Sequence, residues 1–204
     1  MYVSNEFCSL CQPESIYSYI DTIGIYYERK YPTKIIRNLS VYGNRIICRK
    51  FNYGTWIQAQ QPNDKIFYIL KDSEEVGKLV GLDVAIDFES HRPVALANYL
   101  INNIQQKHRR KNHRQQTIGN GTYFREKRQV NRNILVYGDK LSKITGKKCA
   151  HLELRVKGAQ ALKRLGIDLE MLIKGVDIWW LVNKFCRLGN DVGNALKMNC
   201  FVTV

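Results

Sequence analysis

The stretch 121–158, which reads GTYFREKRQVNRNILVYGDKLSKITGKKCAHLELRVKG, decides the predicted fold. In its segment HLELRV the polar residues His151, Glu153 and Arg155 alternate with apolar ones. Such period-two alternation is typical of a β-strand, because successive side chains point to opposite faces of a sheet. The segment therefore predicts a strand with one apolar face and one face that carries chemistry.

A second strand of the same kind is predicted upstream in LDVAIDFE, residues 82–89. Asp83, Asp87 and Glu89 share one face of this strand, and apolar side chains form the other face. If the two strands are neighbours in one antiparallel sheet, several carboxylates and an imidazole meet on a single surface. A divalent cation would relieve their repulsion, so the two strands together predict a metal site.

The patterns over the whole chain predict an α+β fold with a mainly antiparallel sheet and helices packed on one face of it. After Gly158 the apolar residues recur at helical spacing, which places helices at the C-terminal end. We expect a single domain, 1–204, with an N-terminal helix and hairpins in 1–78 and a catalytic half in 79–204.

Within the N-terminal half, Ile16, Tyr19 and Ile23 stand at helical spacing and predict an amphipathic helix. Residues 33–70 contain several short apolar runs separated by turn residues, which predict a meander of strands. Both segments are expected to pack around the catalytic half.

Positive charge is concentrated in the centre of the chain. The net charge is +14, and residues 107–157 hold fifteen Lys and Arg against three Asp and Glu. Such a block favours nucleic acid as a partner through phosphate contacts and counterion release, although a solvated face that keeps the protein soluble is the alternative. The residues predicted to contact DNA are Lys107, Arg109, Arg110, Lys111, Arg114, Arg125, Lys127, Arg128 and Arg155.

The composition is that of a globular protein, with 45% hydrophobic and 11% aromatic residues. No run approaches the ~18 consecutive apolar residues of a membrane span, so we expect no membrane partner. The first residues lack a basic start followed by an apolar run, which predicts an intracellular, cytoplasmic protein. The six cysteines are scattered, and we expect them to be reduced thiols.

The order of four motifs, GLDVAIDFE, GTYFREKR, NILVYGDK and HLELRVKGAQALKRLGI, resembles the replication initiation factors of rolling-circle plasmids and filamentous phages. The likeness covers about 80–167, a little under half of the chain. Related HUH-type endonucleases carry a His-hydrophobe-His triplet, and this chain has His151, Leu152 and Glu153 at that place. The metal ligand set is therefore left open by the sequence.

The resemblance implies a site-specific single-strand DNA endonuclease and strand transferase that forms a phosphotyrosine intermediate. It implies Tyr137 as the nucleophile, with Tyr123 as its rival, and Lys140 as the neutralising charge. The metal ligands that it implies are Asp83, Asp87, His151 and Glu153. Oxygen ligands favour Mg²⁺ or Mn²⁺, and a single histidine favours Mn²⁺ between the two.

The implied partner is single-stranded or cruciform origin DNA of a plasmid or phage. No Walker-type GxxxxGK[ST] sequence occurs, so helicase activity would come from a host protein, and a homo-oligomer is a further expected partner state. Two other functions stay open, namely a mobilisation relaxase with the same chemistry and a non-enzymatic nucleic-acid binder such as a repressor or packaging factor. Carboxylates on a DNA-facing surface favour the enzyme, because a pure binder gains nothing from placing them against phosphates.

Overall fold

The structure is a computed structural model, and it describes residues 13–28, 32–42, 45–71, 77–106, 115–118, 121–124 and 131–187. The strands found there are β1 (Ser15–Tyr27), β2 (Arg45–Phe51), β3 (Gly54–Gln60), β4 (Lys78–Glu89), β5 (Gln105–Gln106), β6 (Gln115–Ile118), β7 (Gly121–Phe124), β8 (Arg132–Leu141), β9 (Lys148–Lys157) and β10 (Cys186–Arg187). The helices are α1 (Thr33–Tyr42), α2 (Asp64–Lys71), α3 (Pro93–Asn103), α4 (Ala159–Leu165), α5 (Leu169–Ile173) and α6 (Ile178–Phe185).

The strands β1–β4 and β6–β9 form one sheet in the order β2-β3-β1-β4-β9-β8-β7-β6, and β10 pairs with β5 in a separate ribbon. The pairs β2 with β3, β1 with β3, β6 with β7 and β7 with β8 are antiparallel. This antiparallel sheet with several helices confirms the predicted α+β class. In the described part of the chain, no helix is both long and apolar enough to cross a membrane.

The residues pack into two compact units. The first unit contains the described residues within 1–19, 85–154 and 177–204, and the second contains those within 20–84 and 155–176. In the first unit, α3 packs on β8. There Gly138 lies so close to the helix that an added methyl group would approach Val94 Cα to 3.1 Å.

The predicted strands around the polar residues are confirmed. β4 and β9 are neighbours in the sheet, as the sequence interpretation required. On β4 the apolar side chains of Leu82, Val84, Ile86 and Phe88 are all buried, which supplies about 1.5–3 kcal/mol for each large side chain. The turn between β8 and β9 is closed by a backbone hydrogen bond from Ser142 N–H to the Lys147 carbonyl.

The predicted N-terminal helix is wrong, because this segment is strand β1. Nine of its thirteen residues are Ile, Tyr or Thr, which favour a pleated surface, and Gly24 disfavours a helix. Ile16, Tyr19 and Ile23 are buried in the strand. The apolar spacing was compatible with both structures, and β-branched and aromatic content decided between them.

The meander predicted for 33–70 is confirmed only for the β2–β3 hairpin. The segments on either side of it are helices α1 and α2. On α2, Ile66 and Leu70 are buried at i, i+4 spacing. Oδ1 of Asn63 accepts a hydrogen bond from the Ile66 N–H at 3.1 Å and so caps the N-terminus of the helix. Asn63 was among the residues of 33–70 interpreted as turns, because Asn is common both in turns and at the N-terminus of helices.

Candidate active site

A buried ion pair joins β4 to β9 at the centre of the candidate site. Asp87 and His151 are both fully buried, and Nδ1 of His151 lies 2.5 Å from Oδ1 of Asp87. The Tyr19 hydroxyl on β1 donates to the other carboxylate oxygen at 3.2 Å. Alternating residues on neighbouring strands bring these groups onto one face, and burial makes each hydrogen bond necessary for stability.

The pair keeps its charges although it is buried. Burial alone would raise the pKa of the Asp87 carboxyl, but hydrogen bonds from His151, Ser142 and Tyr19 and the charge of His151 outweigh burial and lower that pKa. Burial alone would lower the pKa of His151, but its hydrogen bonds to Asp87 and Glu153 outweigh burial and raise that pKa. Asp87 is therefore ionised, and the protonated form of His151 is favoured.

The other ring nitrogen of His151 faces two charged groups. Nε2 lies 3.2 Å from Nζ of Lys140 on β8 and 3.8 Å from Oε2 of Glu153. With Nδ1 committed to Asp87, Nε2 accepts from Lys140 when the ring is neutral and attracts Glu153 when the ring is protonated. The cluster thus balances two carboxylates against an imidazole and an ammonium.

Tyr137 stands beside this cluster on β8. Its ring centroid lies 5.8 Å from the ring of His151, and Nζ of Lys140 lies 5.0 Å from its centroid. The ring lies over Gly121 on β7, where any Cβ would collide with it. The Tyr137 hydroxyl is 3.4 Å from that of Tyr123, and both tyrosines are partly exposed.

A second polar cluster lies at the end of β4. Glu89 is 2% exposed, and one of its oxygens accepts the Thr145 hydroxyl from the β8–β9 turn. Its other oxygen, Oε2, is 3.6 Å from Nζ of Lys147, and no hydrogen-bond partner for it occurs among the described residues. The Ser142 hydroxyl accepts from Ile144 N–H at 3.1 Å, which shapes this turn.

The donor set fits a divalent cation in part. Asp87, Cys149 and His151 each offer a ligand atom, and these atoms lie within 4.8 Å of one another. Burial and the charge of Asp87 raise the pKa of Cys149 to about 12, so a metal that takes this thiol as a ligand must displace its proton. Asp87 offers a carboxylate oxygen and His151 an imidazole nitrogen, and Oε2 of Glu153 lies 3.8 Å from Nε2 of His151.

Asp83, another of the predicted ligands, forms an ion pair in the structure. Asp83, on β4 in the second unit, has Oδ2 3.9 Å from Nε of Arg155 on β9. Among the described residues, the group of potential ligands consists of Asp87, Cys149 and His151, so neither Asp83 nor Glu153 belongs to it. Apart from Arg155, the predicted DNA-contacting residues lie outside the described residues, namely Lys107, Arg109, Arg110, Lys111, Arg114, Arg125, Lys127 and Arg128.

Sequence reasoning missed three residues of this site. Cys149 has the same strand parity as His151, so the alternation of β9 could have identified it. Tyr19 was missed because β1 was interpreted as a helix. Thr145 reaches Glu89 from a turn, and no local pattern in the sequence signals such a contact.

Comparisons with known proteins support the fold. No family model matches the chain, and no curated protein matches it. A solved structure of a rolling circle replication initiator protein from Geobacillus stearothermophilus is similar, with a TM-score of 0.55 and 10% sequence identity. The match covers 85% of this chain and 87% of that chain. The chain therefore shares its fold with a rolling-circle replication initiator.

Proposed function

We propose that this protein nicks and rejoins a DNA strand through a phosphotyrosine intermediate and thereby initiates rolling-circle replication of a plasmid or phage. The single observation that carries the proposal is the position of Tyr137, partly exposed and beside the charged cluster of Lys140, His151 and Asp87. The fold shared with a replication initiator supports the same conclusion.

In the proposed reaction the Tyr137 oxygen attacks a backbone phosphorus of the DNA. A bond forms between phosphorus and the phenol oxygen, the bond from phosphorus to O3′ breaks, and the phenol proton passes to the leaving 3′ oxygen. The product is a 5′-phosphotyrosine and a free 3′ hydroxyl that can prime synthesis. Attack by a 3′ hydroxyl on the phosphotyrosine reverses the reaction and joins the strand.

Lys140 has a defined part in this reaction. A phenol has an ordinary pKa of about 10, so a nearby positive charge is needed to favour the phenolate at neutral pH. The ammonium of Lys140 lies 5.0 Å from the ring centroid of Tyr137, and it also contacts Nε2 of His151. It would stabilise the phenolate as it forms and the charge on the phosphate that it attacks.

Asp87, His151 and Glu153 would hold the divalent cation, Mn²⁺ or Mg²⁺, whose chemistry is to polarise the scissile phosphate. His151 would bind the cation in its neutral form, so metal binding would release the proton that the metal-free cluster favours. The Asp87 carboxylate also orients the imidazole through Nδ1, as carboxylates do for metal-binding histidines. The basic residues of 107–157 would contact the phosphates of a single-stranded or cruciform origin, and duplex unwinding would be left to a host helicase.

The test is to incubate the purified protein with single-stranded origin-like DNA and Mn²⁺ and to look for a covalent protein–DNA adduct on a denaturing gel. The wild type should form the adduct, and Tyr137→Phe should abolish it with fold and DNA affinity unchanged. Tyr68→Phe is the matched control, since Tyr68 is an exposed tyrosine on α2.

The remaining outcomes identify the alternatives. If Tyr137→Phe still forms the adduct and Tyr123→Phe does not, the nucleophile is the neighbouring phenol. If the DNA is cut without any adduct in all variants, a water molecule is the nucleophile and the proposal is wrong. If DNA binds but is never cut, the protein is a binder rather than an enzyme.

A further inference from the structure

A second surface, in the other compact unit, is built from three neighbouring strands. In the registers of β2, β3 and β1, Arg49 stands opposite Trp56, and Trp56 stands opposite Tyr26. Directly opposed residues of antiparallel strands share one face of the sheet. A cation and two aromatic rings therefore form a row across three strands, and all three side chains are at least partly exposed.

Two glycines leave room for the two aromatic rings of this row. A Cβ on Gly24 would lie 3.1 Å from Nε1 of Trp56, and a Cβ on Gly54 would collide with the phenol of Tyr26. Each ring therefore lies against a backbone position that carries no side chain. The guanidinium carbon of Arg49 lies 5.4 Å from the Trp56 ring centroid, within cation–π distance.

The edges of this row extend the same chemistry. At the β2–β3 turn Tyr53 is 84% exposed and Phe51 is 55% exposed. Gln58 and Gln60 of β3 are partly exposed, and they are opposed by Ile47 and Arg45 of β2, on the face that carries Trp56. Amide side chains can hydrogen-bond to base edges, and aromatic rings can stack on base faces.

The charge of the β2–β3 hairpin is of one sign. The hairpin 45–60 contains Arg45, Arg49 and Lys50 and neither Asp nor Glu. Exposed rings interleaved with cations and amides on an antiparallel sheet match single-stranded nucleic acid, whose phosphates need positive charge and whose unpaired bases need flat partners. A duplex would not satisfy the rings, because its bases are already stacked.

We propose that the face formed by Tyr26, Arg49, Trp56 and the turn residues Phe51 and Tyr53 binds single-stranded DNA by stacking its bases. The surface is inferred from its own residues, and only the choice of DNA over RNA rests on the proposed function. This surface holds a short segment of unpaired strand and does not cleave it. It contains none of the residues assigned to nicking.

The experiment measures binding of labelled oligothymidylate by fluorescence anisotropy, in EDTA and in a Tyr137→Phe background, so that no covalent capture contributes. Trp56→Leu and Tyr53→Ser should each weaken binding by about tenfold, the loss of roughly one stacked base. Arg49→Gln should weaken binding and reduce its salt dependence. Tyr68→Ser is the matched control and should bind as the background protein does.

A second readout reports stacking itself. Binding should quench part of the tryptophan fluorescence, and Trp56→Phe should lose that part of the signal while retaining most of the affinity, because phenylalanine still offers a ring. Tyr53→Ser keeps the proposal testable if Trp56→Leu fails to fold, since Tyr53 lies in an exposed turn.

Several results would overturn the proposal. The first is that Trp56→Leu and Tyr53→Ser bind as tightly as the background protein. The second is that a fully paired duplex competes as well as single-stranded DNA, and the third is that oligothymidylate does not bind at all. A change of oligomeric state in these variants with DNA affinity unchanged would assign the face to a second copy of the chain instead. Failure here with an intact Tyr137 adduct leaves the nicking proposal standing, and Trp56-dependent binding without an adduct leaves this surface standing alone.

Discussion

The cluster around Asp87 and His151 and the face around Trp56 are both built from neighbouring antiparallel strands, but one is buried and the other is exposed. In the first, both carboxylates and the imidazole are buried, and each has a partner of the opposite sign or a hydrogen-bond donor. In the second, the rings and cations are at least partly exposed, and the rings of Tyr26 and Trp56 lie against Gly54 and Gly24. The first arrangement fixes a few atoms rigidly, and the second offers a surface that tolerates different ligands.

The difference predicts where stability and binding separate. Removing one partner of a buried charge pair leaves the other charge uncompensated, so the buried cluster should be sensitive to every substitution. Exposed rings contribute little to folding, so substitutions on the Trp56 face should change binding and leave the fold intact. The predictions below test this separation.

The largest effect is expected for Asp87→Asn. The substitution removes the nearer of the two carboxylates that face the buried His151, and the free energy of unfolding should fall by about 3–5 kcal/mol. Urea denaturation in EDTA measures the change, and Glu28→Gln, at an exposed ion pair with Lys78, is the matched control that should leave the midpoint unchanged. Equal small effects of the two substitutions would remove the distinction between buried and exposed charge.

The same pair should give a pH-dependent stability. The pKa of His151 is raised above 6.5, so its contribution is fully present below 6.5 and is lost as pH rises through the folded-state value. The pKa of Asp87 is lowered below 3.8, so its contribution is present above 3.8 and is lost as pH falls through the folded-state value.

The stability difference between wild type and Asp87→Asn should therefore be largest between those two ordinary pKa values and should shrink on either side. Urea midpoints measured in EDTA across this pH range test the shape of the dependence. A difference that does not fall as pH rises above 6.5 would mean that Asp87 does not raise the pKa of His151.

A smaller effect is expected at the β8–β9 turn. Thr145→Val removes the hydroxyl that Glu89 accepts and leaves a buried carboxylate oxygen without that donor, which should cost about 1–3 kcal/mol. Thr145→Ser keeps the hydroxyl and should recover most of the loss in thermal unfolding. If the two variants melt together, the hydroxyl does not support Glu89.

The smallest effect is expected on the exposed face. Tyr53→Ser should change the free energy of unfolding by no more than about 0.5 kcal/mol, because the side chain is 84% exposed. The same denaturation series measures it. A loss as large as that of Thr145→Val would show that the hairpin turn is part of the folding core, and the two regions would then differ less than described.

Sequence patterns predicted the strands of the buried cluster well. The alternation in β4 and β9 was sufficient to assign Asp87, His151 and Glu153 to faces, because buried strands of ten or more residues leave little ambiguity. The contact of Lys140 with His151 could not be predicted, since it depends on the pairing register of β8 with β9.

The face around Trp56 could not be predicted from the sequence at all. It requires β1 to be a strand, and the spacing of Ile16, Tyr19 and Ile23 was equally compatible with a helix. Gly24 and Gly54 leave room for the rings of Trp56 and Tyr26. This role can be recognised only once the pairing places Tyr26 and Trp56 on neighbouring strands. The register between strands that are distant in sequence brings these residues together, and no local pattern predicts that register.

The position of β2 at one end of the strand order has a consequence for self-association. A strand at a sheet edge presents unpaired backbone donors and acceptors, and such edges template aggregation between copies of a protein. Arg45, Arg49 and Lys50 place three positive charges along this edge, so two copies approaching through it repel each other. High salt would screen that repulsion, and the protein should be most prone to edge-to-edge aggregation under those conditions.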